Sequence, residues 1–154
     1  MPRPPTAPDR LLLCSCDASM RVDPKTAGAA TGATRVSRCD RLCTADLDTA
    51  TQALRQDGTT LIACGQMAGF FADLAADIAA PGTLICTDIR DRAGWTADGP
   101  TARDATAKQA ALLADALLQP PPAPVRDIVS AGTCLIIGRG DVALDAAASL
   151  ADRL

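Results

Sequence analysis

The chain's potential for chemistry lies in its seven cysteines. Cys14 and Cys16 form a C-x-C pair directly after the apolar run Leu11-Leu12-Leu13. Cys39 and Cys43 form a C-x3-C pair, and Cys64 closes the run Thr60-Leu61-Ile62-Ala63. Soft thiolates are the ligands that suit iron in a sulfide cage, and such clusters commonly take four of them. Neighbouring strand ends of a parallel sheet lie about 5 Å apart, so three cysteine groups carried at strand ends can meet at one site. The opposing reading is that free cysteine packs as a small hydrophobe. It is the better one for Cys86 and Cys134, which sit beside Ile85 and Leu135.

Other thiol chemistries fit less well. Structural zinc sites and redox dithiols usually show C-x2-C spacing, and the chain has no histidine to activate a nucleophilic cysteine. The run of closely spaced cysteines typical of bacterial ferredoxins is missing as well. An odd number of cysteines suits a disulfide framework poorly, so we expect reduced thiols and a cytoplasmic protein.

The elements that must position these residues follow from the pattern of the chain. Its 154 residues suit one domain or one domain plus the start of another. Residues 1–9 read as a disordered leader. Strands are expected at Leu11 to Cys14, Thr34 to Ser37, Thr60 to Cys64 and Thr83 to Thr87, and again at Val125 to Val129 and Thr133 to Ile137. Between them, Asp23-Pro24 supplies an N-cap and a first-turn proline for a helix ending at Gly32. Asp46 caps a second helix reaching Gln56. Met67, Phe70, Phe71, Leu74 and Ile78 repeat at helical spacing, which predicts a third helix with that stripe buried. Thr101 to Leu118 is a fourth, and a last helix runs from the Gly138 turn to Leu154. Strand and helix alternate throughout. The expected fold is therefore α/β, a mainly parallel sheet with helices on both faces in a Rossmann-like three-layer arrangement. The cysteine-bearing domain spans 10–118, a proline-rich connector 119–124, and a strand–helix unit 125–154.

Two further motifs carry expectations. Gly138-x-Gly140-x-x-Ala143 matches the turn by which dinucleotide-binding folds admit a pyrophosphate. Asp141, however, adds negative charge there, and no ribose-binding acid follows within the chain, so FAD or NAD binding by this chain is not expected. Asp88 to Trp95 carries Arg90, Arg92 and a lone tryptophan; the arginines either hold an anion or pair with Asp88 and Asp91. A net charge of −3 argues against a nucleic-acid partner, and no apolar run is long enough for a membrane span.

This order of motifs resembles the N-terminal domain of the flavin-binding polypeptide of heterodisulfide reductases, and more closely the front end of bacterial ferredoxin-like proteins with [4Fe–4S] motifs. Cys14-Ser15-Cys16 matches the family's opening strand and C-x-C. Leu42-Cys43 matches its next cysteine, just before a helix, and Ile62-Ala63-Cys64 its strand-end cysteine. Asp88-Ile89-Arg90-Asp91 with Trp95 is similar to its N-I-R-E and tryptophan segment, and Thr106-Ala107-Lys108 to the start of the helix that follows. The likeness covers about residues 10–118; Gly138 to Ala143 then corresponds to the opening of a flavin-binding domain.

The resemblance implies an iron–sulfur cluster, [4Fe–4S] in type, held by Cys14, Cys16, Cys43 and Cys64. Cys39 has no counterpart and is a candidate substitute. It also implies an electron-transfer component rather than an enzyme in its own right, part of a longer protein, with downstream ferredoxin-type domains or a redox partner protein. The alternatives are a docking or scaffold domain without a cluster, and a degenerate FAD- or NAD-binding domain using Gly138, Gly140 and Ala143.

Overall fold

A computed structural model describes residues 7–93, 103–118, 129 and 132–151. The chain divides into two compact units, Met1–Pro120 and Pro121–Leu154. In the first, four strands form one all-parallel sheet: β1 (Arg10–Cys14), β2 (Arg35–Cys39), β3 (Thr59–Ile62) and β4 (Thr83–Cys86), in the order β2-β1-β3-β4. Helices α1 (Pro24–Thr31), α2 (Leu47–Leu54), α3 (Ala68–Asp77) and α4 (Arg103–Asp115) connect or flank them. The α/β expectation therefore holds.

The sheet has two apolar faces because alternate residues of a strand point to opposite sides. Leu11, Leu13, Leu61 and Ala63 share one layer with Ala27 of α1 and with Leu112 and Leu113 of α4. Leu12, Cys14, Cys39 and Ile62 share the other with Ala50 and Ala53 of α2 and Phe71 of α3. Strand β1 is buried along its whole length, whereas β4 is only partly covered.

Local sequence explains the boundaries. The Asp23 carboxylate accepts from Lys25 N–H at 3.0 Å, Pro24 opens α1, and Gly32 ends it in the left-handed conformation. Gly65 turns the chain after β3, and a Cβ there would come within 2.5 Å of the Asp88 side chain.

Several expectations need correction. Pro8 and Asp9 are not part of a loose leader: Pro8 is buried, its carbonyl accepts from Thr34 N–H, and the Asp9 carboxylate accepts from Thr59 N–H at 2.7 Å. Those bonds carry the sheet's pairing just ahead of β1. The third helix buries only Phe71 completely; Phe70 is 36% exposed, and Met67, Leu74 and Ile78 are half-buried. The reason is that α3 packs on the partly covered strand β4, so half of its stripe overhangs the sheet. Trp95 and the strand expected at Val125 lie outside the described residues, apart from Val129, which is in no strand.

In the second unit, residues 133–139 have no regular structure, and helix α5 (Asp141–Ala151) follows. The strand expected at Thr133 to Ile137 does not form. An extended segment becomes a strand by pairing, and the described residues of this unit supply no second strand. Leu135 and Ile137 are 82% and 88% exposed. Across the described residues, no helix is long and apolar enough to cross a membrane.

Candidate functional site

Strand order makes a crevice where successive connections leave the sheet in opposite directions. From β1 the chain goes to β2 through α1, on one face. From β2 it returns through α2, on the other face, to β3 on the far side of β1. The carboxyl ends of β1 and β3 therefore flank a topological switch point, where open α/β sheets bind ligands. Cys14 ends β1, Cys16 follows two residues on, and Cys64 lies just beyond β3. Cys43 sits in the loop between β2 and α2.

A cavity of about 270 Å³ opens there, lined by all four of these cysteines, with Met20, Leu42, Met67 and Phe71 as apolar wall and Arg41, Asp88 and Arg90 among its polar lining. That volume falls just under the roughly 300–1,000 Å³ of drug-sized ligand pockets; it suits a compact group better than a dinucleotide.

The four thiols also feel one another electrostatically. Burial raises the Cys14 pKa, and the neighbouring Cys16 and Cys43 add to the rise. Burial likewise raises that of Cys64, with further contributions from Cys14, Cys43 and Cys16. Opposing this, backbone N–H groups aim at the sulfurs. Cys16 N–H and Leu42 N–H donate to Cys14 Sγ at 3.4 and 3.5 Å, and Met67 N–H donates to Cys64. The Cys14 S–H in turn donates to the Asp40 carbonyl at 3.4 Å.

The C-x-C segment is not a continuation of β1. Cys16, Asp17 and Ala18 have φ of 53°, 59° and 57°, three consecutive non-glycine residues in the left-handed region. Each costs about 1–2 kcal/mol, so surrounding bonds must enforce the turn. Ser15, fully buried, supplies two of them: its hydroxyl donates to Asp40 Oδ1 at 2.7 Å and accepts from Ala18 N–H at 3.1 Å. The turn carries Cys16 against the α1/α4 layer, while Cys14, Cys43 and Cys64 belong to the α2/α3 layer.

The loop bearing Cys43 is organised by Asp46. Its carboxylate does not cap α2, as expected from sequence, but accepts from Asp40 N–H and Arg41 N–H, both at 2.9 Å. These bonds hold its pKa below the ordinary carboxylate value. Exposed Arg41 reaches Asp17 at 3.7 Å, so the loop and the left-handed turn meet at the cavity rim. On the other rim, Asp88 Oδ1 accepts from the N–H groups of Arg90 and Asp91. Arg90 donates to Gln66 Oε1 at 3.0 Å, and Gln66 Nε2 donates to the Asp91 carboxylate. Arg90 thus works with Gln66 in bracing the turn after Cys64.

The remaining candidates lie elsewhere. Cys39 is buried at the end of β2 and does not line the cavity; burial and the nearby Asp46 push its pKa up to about 11. Cys86 on β4 is likewise outside the lining and pushed up to about 11, chiefly by burial. In the second unit, Gly140 is left-handed, and a Cβ on Gly138 would approach the Ala143 side chain to 2.9 Å. Glycine at 140 thus serves the backbone conformation, and glycine at 138 the close approach of Ala143. A second, shallower cavity in that unit is lined by Gly132, Cys134, Ile136, Ala147, Leu150 and Ala151, and by none of Gly138, Gly140 and Ala143.

Among the described residues, no three of His, Cys, Asp and Glu are grouped so as to hold a single metal ion. Comparisons with family models, with curated proteins and with solved structures each gave no match.

Sequence reasoning missed Ser15, Asp40 and Gln66. A serine inside C-x-C and an aspartate after a strand carry no spacing signal; their roles arise only when β1 and β2 pair.

Proposed function

We propose that this chain is an iron–sulfur cluster-binding electron-transfer module, with the thiolates of Cys14, Cys16, Cys43 and Cys64 as ligands. The observation that carries the reading is that these four cysteines, from three separate segments, line one cavity at the sheet's switch point, while the other three do not. The donor set suits iron in a sulfide cage. When bound, a [4Fe–4S] cluster supplies a one-electron redox couple.

The chain's own residues then have defined tasks. Leu42 and Cys16 N–H groups at Cys14, and Met67 N–H at Cys64, donate to ligand sulfurs and thereby favour the more reduced, more negative state. Met20, Leu42, Met67 and Phe71 keep water from the site. Because burial raises the Cys14 and Cys64 pKa values, cluster assembly must release protons, and loading weakens as pH falls. All seven cysteines are free thiols, in keeping with a reducing, cytoplasmic setting. The partner in this proposal is a ferredoxin-type domain, further along the same protein or on another chain.

Reconstitution under argon with iron and sulfide tests the reading. We expect broad sulfur-to-iron charge-transfer absorbance that dithionite bleaches. A chain that stays colourless under those conditions contradicts it.

A further inference from the structure

A strand that continued extended through Ser15 would place Cys16 on the same face as Cys14, since residues two apart share a face. The two sulfurs would then line one wall. The left-handed turn sends Cys16 to the α1/α4 layer instead, across the sheet end from the other three thiols. Three left-handed non-glycine residues in a row do not hold themselves. What holds them reaches across from β2: Ser15 Oγ donates to Asp40 Oδ1 at 2.7 Å and accepts Ala18 N–H at 3.1 Å, and the Asp40 carbonyl accepts Asp17 N–H.

We propose that Ser15 and Asp40 are positioning residues for the cluster site, a hydroxyl–carboxylate clasp that fixes the left-handed turn and so sets Cys16 opposite Cys14, Cys43 and Cys64. The inference rests on the iron–sulfur reading for its consequence, though the clasp itself belongs to the bare chain. Ser15 touches no ligand sulfur; it acts through the backbone of Ala18. The Asp40 carboxylate acts through the Ser15 hydroxyl, while its backbone carbonyl, which side-chain variants leave in place, accepts from Asp17 N–H and the Cys14 S–H.

The test uses the full chain, reconstituted, with an excess iron chelator and the charge-transfer absorbance as readout. Ser15→Ala and Asp40→Ala should release iron about 10–100-fold faster than wild type, the range seen when groups that orient metal ligands are lost. Asp40→Asn keeps an acceptor oxygen and should release iron at the wild-type rate, separating the hydrogen bond from the charge. In parallel, amide hydrogen exchange is measured on the bare chain. Ala18 N–H should be protected in wild type and in Asp40→Asn and lose protection in Ser15→Ala. Asp40 is exposed, so its variants report on the clasp even where Ser15→Ala fails to fold. Equal release rates in wild type and Asp40→Ala would overturn the positioning role, as would an unprotected Ala18 amide in the wild-type bare chain. If wild type takes up no iron yet Ala18 shows the predicted protection pattern, the clasp stands and the iron–sulfur reading falls.

Discussion

Cys14 and Cys39 stand opposite each other in register across the parallel pair β1–β2, in the same apolar layer, yet only Cys14 lines the cavity. Two buried cysteines on adjacent strands thus have different environments. Cys14 Sγ accepts two backbone N–H groups, whereas burial and Asp46 keep Cys39 in its protonated, neutral form up to about pH 11. Cys39→Ser should therefore retain the iron of the reconstituted chain, while Cys14→Ser should lose most of it. Iron content per chain after desalting decides between them.

Cys39 and Cys86 also make a prediction for the chain without cluster. Both thiols are raised from 9.0 to about 11 in the fold. Between those values the unfolded chain has lost the proton that the folded one keeps, so stability is fully present below about pH 9 and drains as pH rises toward 11. Urea midpoints measured from pH 8 to 11 should fall steeply in wild type. They should fall less in a Cys39→Ala, Cys86→Ala double variant, whatever its stability at pH 8.

Ala79, just after α3, holds φ at 49°. A left-handed alanine costs about 1–2 kcal/mol that glycine does not pay, offset in part by the greater freedom glycine has when unfolded. Ala79→Gly should raise stability by about 0.5–1 kcal/mol, seen as a higher urea midpoint at unchanged slope.

Arg10 is buried in β1, where its guanidinium donates to Thr60 Oγ1 at 3.0 Å and to the carbonyls of Gln56 and Asp57 at 3.2 and 2.7 Å. Those carbonyls follow α2, where the helix's partial negative charge lies. Arg10→Ala removes hydrogen bonds made by a charged group, worth about 1.5–3 kcal/mol each, and leaves the buried Thr60 hydroxyl without its donor. Thermal unfolding should show a loss of at least about 2 kcal/mol.

The parallel sheet was legible because β1, β3 and β4 hold short apolar runs separated by helical stretches, whereas the mostly polar β2, Arg35–Cys39, carried little signal beyond its place in the alternation. The placement of Cys14 and Cys64 followed from that, since both end such runs. Less was legible where structure depends on pairing. Thr133 to Ile137 has the composition of a strand, but composition cannot supply a neighbour. The half-exposed stripe of α3 depends on β4 being an edge. The left-handed turn was illegible for a sharper reason: Cys16, Asp17 and Ala18 are ordinary residues locally, and the bonds that Ser15 and Asp40 make across two strands favour their conformation.

The central claim is that Cys14, Cys16, Cys43 and Cys64 together hold one cluster, and iron counted per chain in a set of single serine variants tests it most directly. Each variant is reconstituted under argon with iron and sulfide, desalted and assayed. We expect about four irons per wild-type chain, as a cubane requires. Cys16→Ser and Cys64→Ser should lose most of that iron, and Cys86→Ser and Cys134→Ser should keep it. Full iron in single replacements of all four proposed ligands, or no iron in wild type, would contradict the account.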